Sequence, residues 1–126
     1  MLKLKIALSG LVLITLSACA TRPPLNYGPF PEGWRDQVNA YINSAYFDPP
    51  AIRDSYATIP FKTSESWKVC LRNNAKNRLG AYVGLTKVGL EIDSLGKIVE
   101  ARKDDRDCLD GREYAHDWVP FPIKSR

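Results

Sequence analysis

The fold is decided by residues 82–102, which read YVGLTKVGLEIDSLGKIVEAR. Apolar and polar positions alternate in this stretch, with Val88, Leu90 and Ile92 set between Lys87, Gly89, Glu91 and Asp93. A period of two predicts a β-strand over residues 82–93 with one buried face. The sequence Asp-Ser-Leu-Gly at 93–96 predicts a turn, after which residues 97–102 return as an antiparallel strand.

The segments before this stretch add a further strand and a helix. Residues 67–73 alternate again, with Trp67, Val69 and Leu71 pointing one way and Lys68, Cys70 and Arg72 the other. Residues 51–61 are expected to be extended. Residues 32–45 predict an amphipathic helix, because Trp34, Val38, Tyr41, Ile42 and Ala45 recur at helical spacing before Asp48-Pro49-Pro50 ends it.

These elements predict an α+β fold in which one N-terminal helix packs on a three- or four-stranded antiparallel β-meander. The helix is expected to cover one face of the sheet. The C-terminal segment, joined through Cys108, is expected to close the face that carries Cys70.

The N-terminus predicts an export signal over residues 1–18. Lys3 and Lys5 precede an apolar run of about half the roughly 20 residues that a membrane-spanning helix needs. The following residues 16–19, Leu-Ser-Ala-Cys, resemble a bacterial lipobox, in which the cysteine, here Cys19, is acylated and becomes the first mature residue. Ala20 instead of Asp then implies the outer membrane, facing the periplasm. Because Ser17 and Ala18 are small, a non-lipidated signal cleaved nearby is the alternative.

A tether and a single domain are expected after the signal. Residues 19–31 contain four prolines and a glycine and predict an extended tether, with a Pro-rich recognition motif as the alternative. Residues 32–126 then form one small domain. The chain has 18 basic and 14 acidic residues; without Lys3 and Lys5 the count is 16 against 14, a net charge of +2. This near balance offers no basic stripe for nucleic acid, so no nucleic-acid partner is expected.

The other two of the three cysteines, Cys70 and Cys108, predict a disulfide, since an exported chain matures in an oxidising compartment. The alternatives are a metal site that also uses His116, and a redox-active dithiol. The first has too few ligands, and both lack a Cys-x-x-Cys spacing. No metal or other cofactor is expected.

The polar stretch CLRNNAKNRLGAYVG at residues 70–84 carries a resemblance. Together with Asp48, Pro49 and Arg53, it is similar to a family of small bacterial envelope proteins that share the pattern Cys-x-x-x-Asn-Ala-Lys-Asn-x-x-Gly-x-Tyr-x-Gly. Pro50 and Ala81 depart from that pattern. The resemblance implies an envelope context and a fold, and it transfers no chemistry.

Two interpretations of this stretch stay open. Asn74, Lys76, Asn77 and Tyr82 form a candidate binding loop for a glycan, a peptidoglycan fragment or a peptide. Alternatively, the amides bond the backbone of their own loop and the tyrosine packs on the sheet.

The sequence therefore predicts a lipid-anchored envelope protein that acts as a non-catalytic structural or protein-interaction module, with a membrane anchor at Cys19 and an envelope protein as partner. The alternative function is a binding module for a cell-wall or lipid component, or an inhibitor of a hydrolase. No catalytic residues are expected, because no nucleophile, base and orienting group occur in a recognisable arrangement.

Overall fold

The computed structural model describes residues 28–64, 66–93, 95–109 and 117–124. These residues form an α+β fold in which one α-helix lies against a six-stranded antiparallel sheet. The predicted fold class is confirmed, and the predicted count of three or four strands is wrong.

The helix, α1, spans Trp34–Ala45 and begins two residues later than predicted. Its buried stripe consists of Trp34, Val38 and Ile42, which are spaced about one helical turn apart and therefore share one face. The amide N–H of Tyr46 donates to the carbonyl of Ile42, and the chain then turns away through the short 3-10 helix Pro49–Ala51.

The strands are β1 (Arg53–Thr58), β2 (Phe61–Lys62), β3 (Trp67–Lys76), β4 (Tyr82–Ile92), β5 (Ile98–Lys103) and β6 (Trp118–Pro120). The order across the sheet is β5-β4-β3-β1-β6, and β2 also pairs with β3. The meander β3-β4-β5 is the predicted one. The additional strands arise because the extended segment before β3 divides into β1 and β2, and because a short C-terminal segment pairs with β1.

The strand β3 is longer than predicted and includes Asn74, Ala75 and Lys76. The register pairs Leu71 with Val88 and Asn74 with Leu85, and it shifts between Asn74 and Lys76. The polar motif is therefore largely the end of a strand, and the connecting loop is confined to residues 77–81.

The hydrophobic core lies between α1 and one face of the sheet. It contains the helix stripe together with Ala57, Trp67, Val69, Leu71, Val88, Leu90, Ile92 and Phe121. Phe121 lies 6.1 Å from Trp34 between ring centroids. Within the predicted tether of residues 19–31, Phe30 packs edge-on against Trp67 with centroids 5.4 Å apart.

The opposite face is covered differently from what the sequence predicts. A second 3-10 turn, Arg106–Cys108, lies over the Cys70 end of β3. The C-terminal segment instead extends the sheet as β6 and sends Phe121 into the helix-side core. It pairs with β1 because β1 has a free edge and because backbone N–H and C=O groups require partners.

Candidate functional site

The loop between β3 and β4 is built around Asn77. Its side-chain Oδ1 accepts hydrogen bonds from the amide N–H groups of Leu79 (3.0 Å) and Ala81 (3.1 Å). Gly80 adopts a φ of 79° and donates its N–H to the carbonyl of Asn77 at 3.0 Å. The Asn77 carboxamide oxygen thus holds the turn that joins the two strands.

Asn74 and Tyr82 also bond to backbone. The Oδ1 of Asn74 accepts from the N–H of Gly84 at 3.0 Å, where the strand register shifts and Gly84 has a φ of 90°. The phenol of Tyr82 donates to the carbonyl of Ala51 at 2.8 Å and ties β4 to the 3-10 turn before β1. These contacts agree with the structural interpretation of the loop, while a binding role stays a prediction.

Lys76 differs from the other three residues of the predicted loop. Its ammonium lies 5.3 Å from the centroid of the Tyr82 ring, and Arg53 stacks on the same ring at 4.1 Å. The four predicted residues therefore do lie at one end of the sheet. Their accessible chemistry is cationic and aromatic, however, rather than that of two amides.

A second cation–aromatic group lies next to the first. The guanidinium of Arg72 is placed between two rings, 4.8 Å from the centroid of Tyr56 and 4.7 Å from that of Trp118. The ammonium of Lys87 lies 5.7 Å from Trp118. We call the combined set the cation–aromatic face, and it comprises Arg53, Tyr56, Arg72, Lys76, Tyr82, Lys87 and Trp118.

Strand register assembles this face on the side of the sheet away from α1. Arg72 is paired with Tyr56 on β1 and with Lys87 on β4, while Thr58 is paired with Trp118 on β6. Paired residues point to the same face of a sheet, so four strands contribute to one surface. Sequence analysis placed Arg72 opposite the core face of its strand and Tyr56 in an extended segment, and it assigned no strand to Trp118.

The charge of this face is positive. In the part of the chain that the structure describes, no carboxylate forms an ion pair with Arg53, Arg72 or Lys76. A guanidinium stacked on a ring keeps its N–H edge available, and that edge matches the geometry of a carboxylate or phosphate. Arg72 is already fixed between its rings, so little side-chain freedom remains to be lost on binding.

The neighbouring part of the same face is closed by a cluster that we call the clamp. Cys70 and Cys108 form the predicted disulfide, with an S–S distance of 2.03 Å. Lys68 Nζ lies 2.9 Å from Asp105 Oδ2 and 2.6 Å from Asp107 Oδ2. A Cβ at Gly89 would lie 2.6 Å from the Cβ of Asp105, so only glycine allows the turn to approach β4 this closely.

The clamp pairs its one ammonium, Lys68, with two carboxylates. Burial, the largest single effect, lowers the pKa of Lys68, but the hydrogen bonds and charges of Asp107 and Asp105 together outweigh it and raise the pKa overall. The side chains of Lys68 and Asp105 are 8% and 6% exposed. A paired and buried ammonium of this kind holds a turn in place and offers no charge to a ligand.

Neither a metal-binding cluster nor a membrane-spanning helix occurs among the described residues: no group of three or more His, Cys, Asp or Glu side chains is placed to hold an ion, and no helix is long and apolar enough to cross a bilayer. Cys19 and His116 lie outside the described ranges. Comparison of the chain with protein-family models, with curated proteins and with solved structures found no match.

Proposed function

We propose that this chain is a lipid-anchored interaction module of the bacterial cell envelope, and that it binds an acidic surface of a partner protein through the cation–aromatic face. In this proposal residues 1–18 direct export, Cys19 carries the acyl anchor, and the domain faces the periplasm from the outer membrane. The domain carries out no reaction and acts by binding.

One observation carries the binding part of the proposal. Arg72 is held between Tyr56 and Trp118 with no described carboxylate as its ion-pair partner. The buried ammonium of the molecule, Lys68, is instead satisfied by two carboxylates. The protein thus pairs a cation where it closes its own structure, whereas Arg53, Arg72 and Lys76 on an adjacent surface have no carboxylate partner among the described residues.

A protein partner suits this surface for a geometric reason. The cations alternate with half-buried aromatic rings over four strands, and Arg and aromatic side chains are the residue types enriched at the centres of protein interfaces. A carboxylate can take the free edge of Arg72 while apolar groups of the same partner cover Tyr56 and Trp118. An anionic cell-wall or lipid component is the second function that the positive charge allows.

The binding part is tested with the exported full chain carrying Cys19→Ser, so that acylation does not contribute. Poly-L-glutamate is the probe, and affinity is measured by titration calorimetry. The double variant Arg53→Glu/Arg72→Glu is expected to lose binding by roughly a hundredfold or more. The matched control Arg35→Glu/Lys97→Glu makes the same change in net charge at exposed positions outside the face, and it is expected to bind nearly as well as the parent.

The same set of variants distinguishes binding of a protein partner from the second function, binding of an anionic cell-wall or lipid component. Vesicles of phosphatidylglycerol and a single-stranded oligonucleotide of matched charge serve as further probes. If vesicles bind through Arg53 and Arg72 and poly-L-glutamate does not, the ligand is a lipid headgroup. If all three polyanions bind alike and the control pair weakens them equally, net charge explains the binding and the proposed face is wrong.

The anchor is tested separately in cells. Labelled palmitate is expected to be incorporated into the parent chain and not into Cys19→Ser, and the parent alone is expected to fractionate with the outer membrane. Recovery of unlabelled, reduced parent chain from the cytosol would contradict the export and the anchor together.

A further inference from the structure

The helix is too short to cover the sheet. It has 12 residues, which span about 18 Å. The strand β3 has 10 residues and β4 has 11, or about 33 Å of strand for the shorter of the two. The helix stripe shares one core with Val69, Leu71 and Leu90, and the last turn of the helix borders a groove whose floor includes Ala75 and Thr86.

The space at this end of the helix is an open groove of about 500 Å³, which we call the helix-end groove. Its walls come from the last turn of the helix and the residues that follow, and its floor comes from β3, β4 and β5. The apolar lining consists of Tyr41, Ala45, Tyr46, Phe47, Ala75, Val83, Val88 and Ala101. The groove lies on the helix side of the sheet and meets the cation–aromatic face at Lys76, which belongs to both.

Positive charge surrounds this apolar lining. Lys76, Arg78 and Lys103 line the groove, and the described lining includes neither Asp nor Glu. The guanidinium of Arg78 lies 5.7 Å from the centroid of Phe47, a ring that is 58% exposed. Neither Arg78 nor Lys103 forms an ion pair with any carboxylate that the structure describes.

We propose that the helix-end groove binds a single acyl chain with an anionic head group, namely a long-chain fatty acid. The chain would lie along the ring faces and methyl groups of the floor, where apolar burial is favourable. The carboxylate would remain at the rim with Arg78 and Lys103. The volume lies within the range of 300–1,000 Å³ that small-ligand sites usually have.

Two other occupants fit these observations less well. An extended peptide brings backbone N–H and C=O groups that need partners, and the backbones of β3 and β4 beneath the groove already pair within the sheet. A second copy of this chain would bring Arg78 and Lys103 against the same cations of its neighbour, which is unfavourable. An acyl chain has no polar groups along its length, and its one charge is complementary.

The test measures binding of radiolabelled palmitate to the exported full chain carrying Cys19→Ser, by equilibrium dialysis. Two variants act on different parts of the site. Ala101→Phe places a ring in the groove and is expected to weaken binding roughly tenfold or more. Arg78→Glu/Lys103→Glu is expected to weaken palmitate by a similar factor and to leave binding of the neutral hexadecanol unchanged.

Matched controls distinguish a loss of palmitate binding at the groove from unfolding and from changes at the cation–aromatic face. Val99→Phe adds the same ring to an exposed position of β5 outside the groove, and Arg35→Glu/Lys97→Glu reverses two charges elsewhere. Both controls, and the face variant Arg53→Glu/Arg72→Glu, are expected to bind palmitate normally. The folded state of each variant is checked from its thermal melting curve.

Three results would overturn the proposal. The first is equal binding of palmitate and of the cationic hexadecyltrimethylammonium. The second is full palmitate binding by Ala101→Phe in its folded form. The third is self-association of the chain that Ala101→Phe abolishes, which would assign the groove to a second copy.

Discussion

The two ends of the β3–β4 strand pair differ in what their side chains contact. At the end that begins with Trp67, α1 covers one face and the clamp covers the other, so that Leu71, Leu90 and Cys70 are fully buried. At the end near the connecting loop the cover is incomplete: Ala75 is buried, but Leu79, Val83 and Leu85 are 93%, 56% and 62% exposed. We call these the covered end and the open end.

The difference indicates a division of roles within a single sheet. Stabilising contacts are concentrated at the covered end, where the core, the disulfide and the buried ion pair lie together. The helix-end groove lies at the open end, and the cation–aromatic face runs from there to the middle of the sheet, where Arg72 pairs with Lys87 and Trp118 with Thr58. Because the covered end secures the strands, the open end can keep charged and apolar groups at the surface.

The largest expected effect comes from removing the crosslink at the covered end. Cys70→Ala is expected to lower the free energy of unfolding by about 4 kcal/mol, since the bond closes a loop with a sequence separation of 38. Cys108→Ala and the double variant should give nearly the same loss, because each removes the same bond. Urea denaturation of all three measures this, and an additive loss in the double variant would contradict it.

The next effect comes from removing the ammonium of the clamp. Lys68→Met leaves Asp105 buried without its partner and is expected to destabilise the protein by about 3 kcal/mol at neutral pH. The exposed Lys97→Met is the control and should change the free energy of unfolding by less than about 0.5 kcal/mol.

The same clamp predicts a loss of stability in alkali. The pKa of Lys68 is raised above its ordinary value of 10.5, so its contribution is complete below pH 10.5 and is lost as the pH rises through the folded-state pKa. Burial also raises the pKa values of Tyr41 and Tyr46 above 10.0, and their contribution is likewise lost above pH 10. The free energy of unfolding of Lys68→Met should therefore fall less between pH 9 and pH 11 than that of the parent. Urea denaturation at the two pH values measures this, and an equal fall in the two proteins would contradict it.

A smaller effect of opposite sign is expected at Asn73, where the covered end meets the open end. Its side chain is fully buried, and neither its Oδ1 nor its Nδ2 makes a hydrogen bond. Asn73→Leu is expected to stabilise the protein by about 1–2 kcal/mol, because it removes a polar group that is buried without a partner.

The neighbouring Tyr46 gives a second measurement. Burial raises the pKa of Tyr46, and the nearby carboxamide of Asn73 lowers it by a smaller amount, although no hydrogen bond of good geometry joins the two. Asn73→Leu should therefore raise the pKa of Tyr46 further in a spectroscopic titration. If Asn73→Leu lowered the free energy of unfolding and left the pKa of Tyr46 unchanged, Asn73 would have a hydrogen-bond partner in solution other than Tyr46.

The sequence predicted the covered end better than the open end. The helix stripe and the alternating strands of this end are periodic patterns within single segments, which predict local structure directly. The two cysteines left after Cys19 are an even pair, which predicts a disulfide. Gly89 is a signal that the sequence analysis did not use: a glycine inside a strand marks a close approach of another chain segment, and Asp105 fills that space.

The open end could not be predicted from local patterns. The polar run 74–77 suggested a loop, yet Asn74 and Lys76 belong to β3 because they pair with β4. The cation–aromatic face joins residues as distant as 56 and 118, and only the pairing of β1 with β6 brings them together. Long-range register of this kind depends on the whole sheet, so it cannot be predicted from any single segment of the sequence.

The smallest expected effects separate two neighbours in the connecting loop. Asn77→Ala removes the acceptor of two backbone N–H groups and is expected to cost about 1 kcal/mol. Lys76→Ala removes a half-buried cation that lies over the ring of Tyr82 and should change the free energy of unfolding by less than about 0.5 kcal/mol. Binding of poly-L-glutamate should show the reverse order: Lys76→Ala weakens it several-fold, and folded Asn77→Ala retains it. If Asn77→Ala abolished binding without altering the melting temperature, the amide would be a recognition group, and the open end would bind through its loop rather than through its cations.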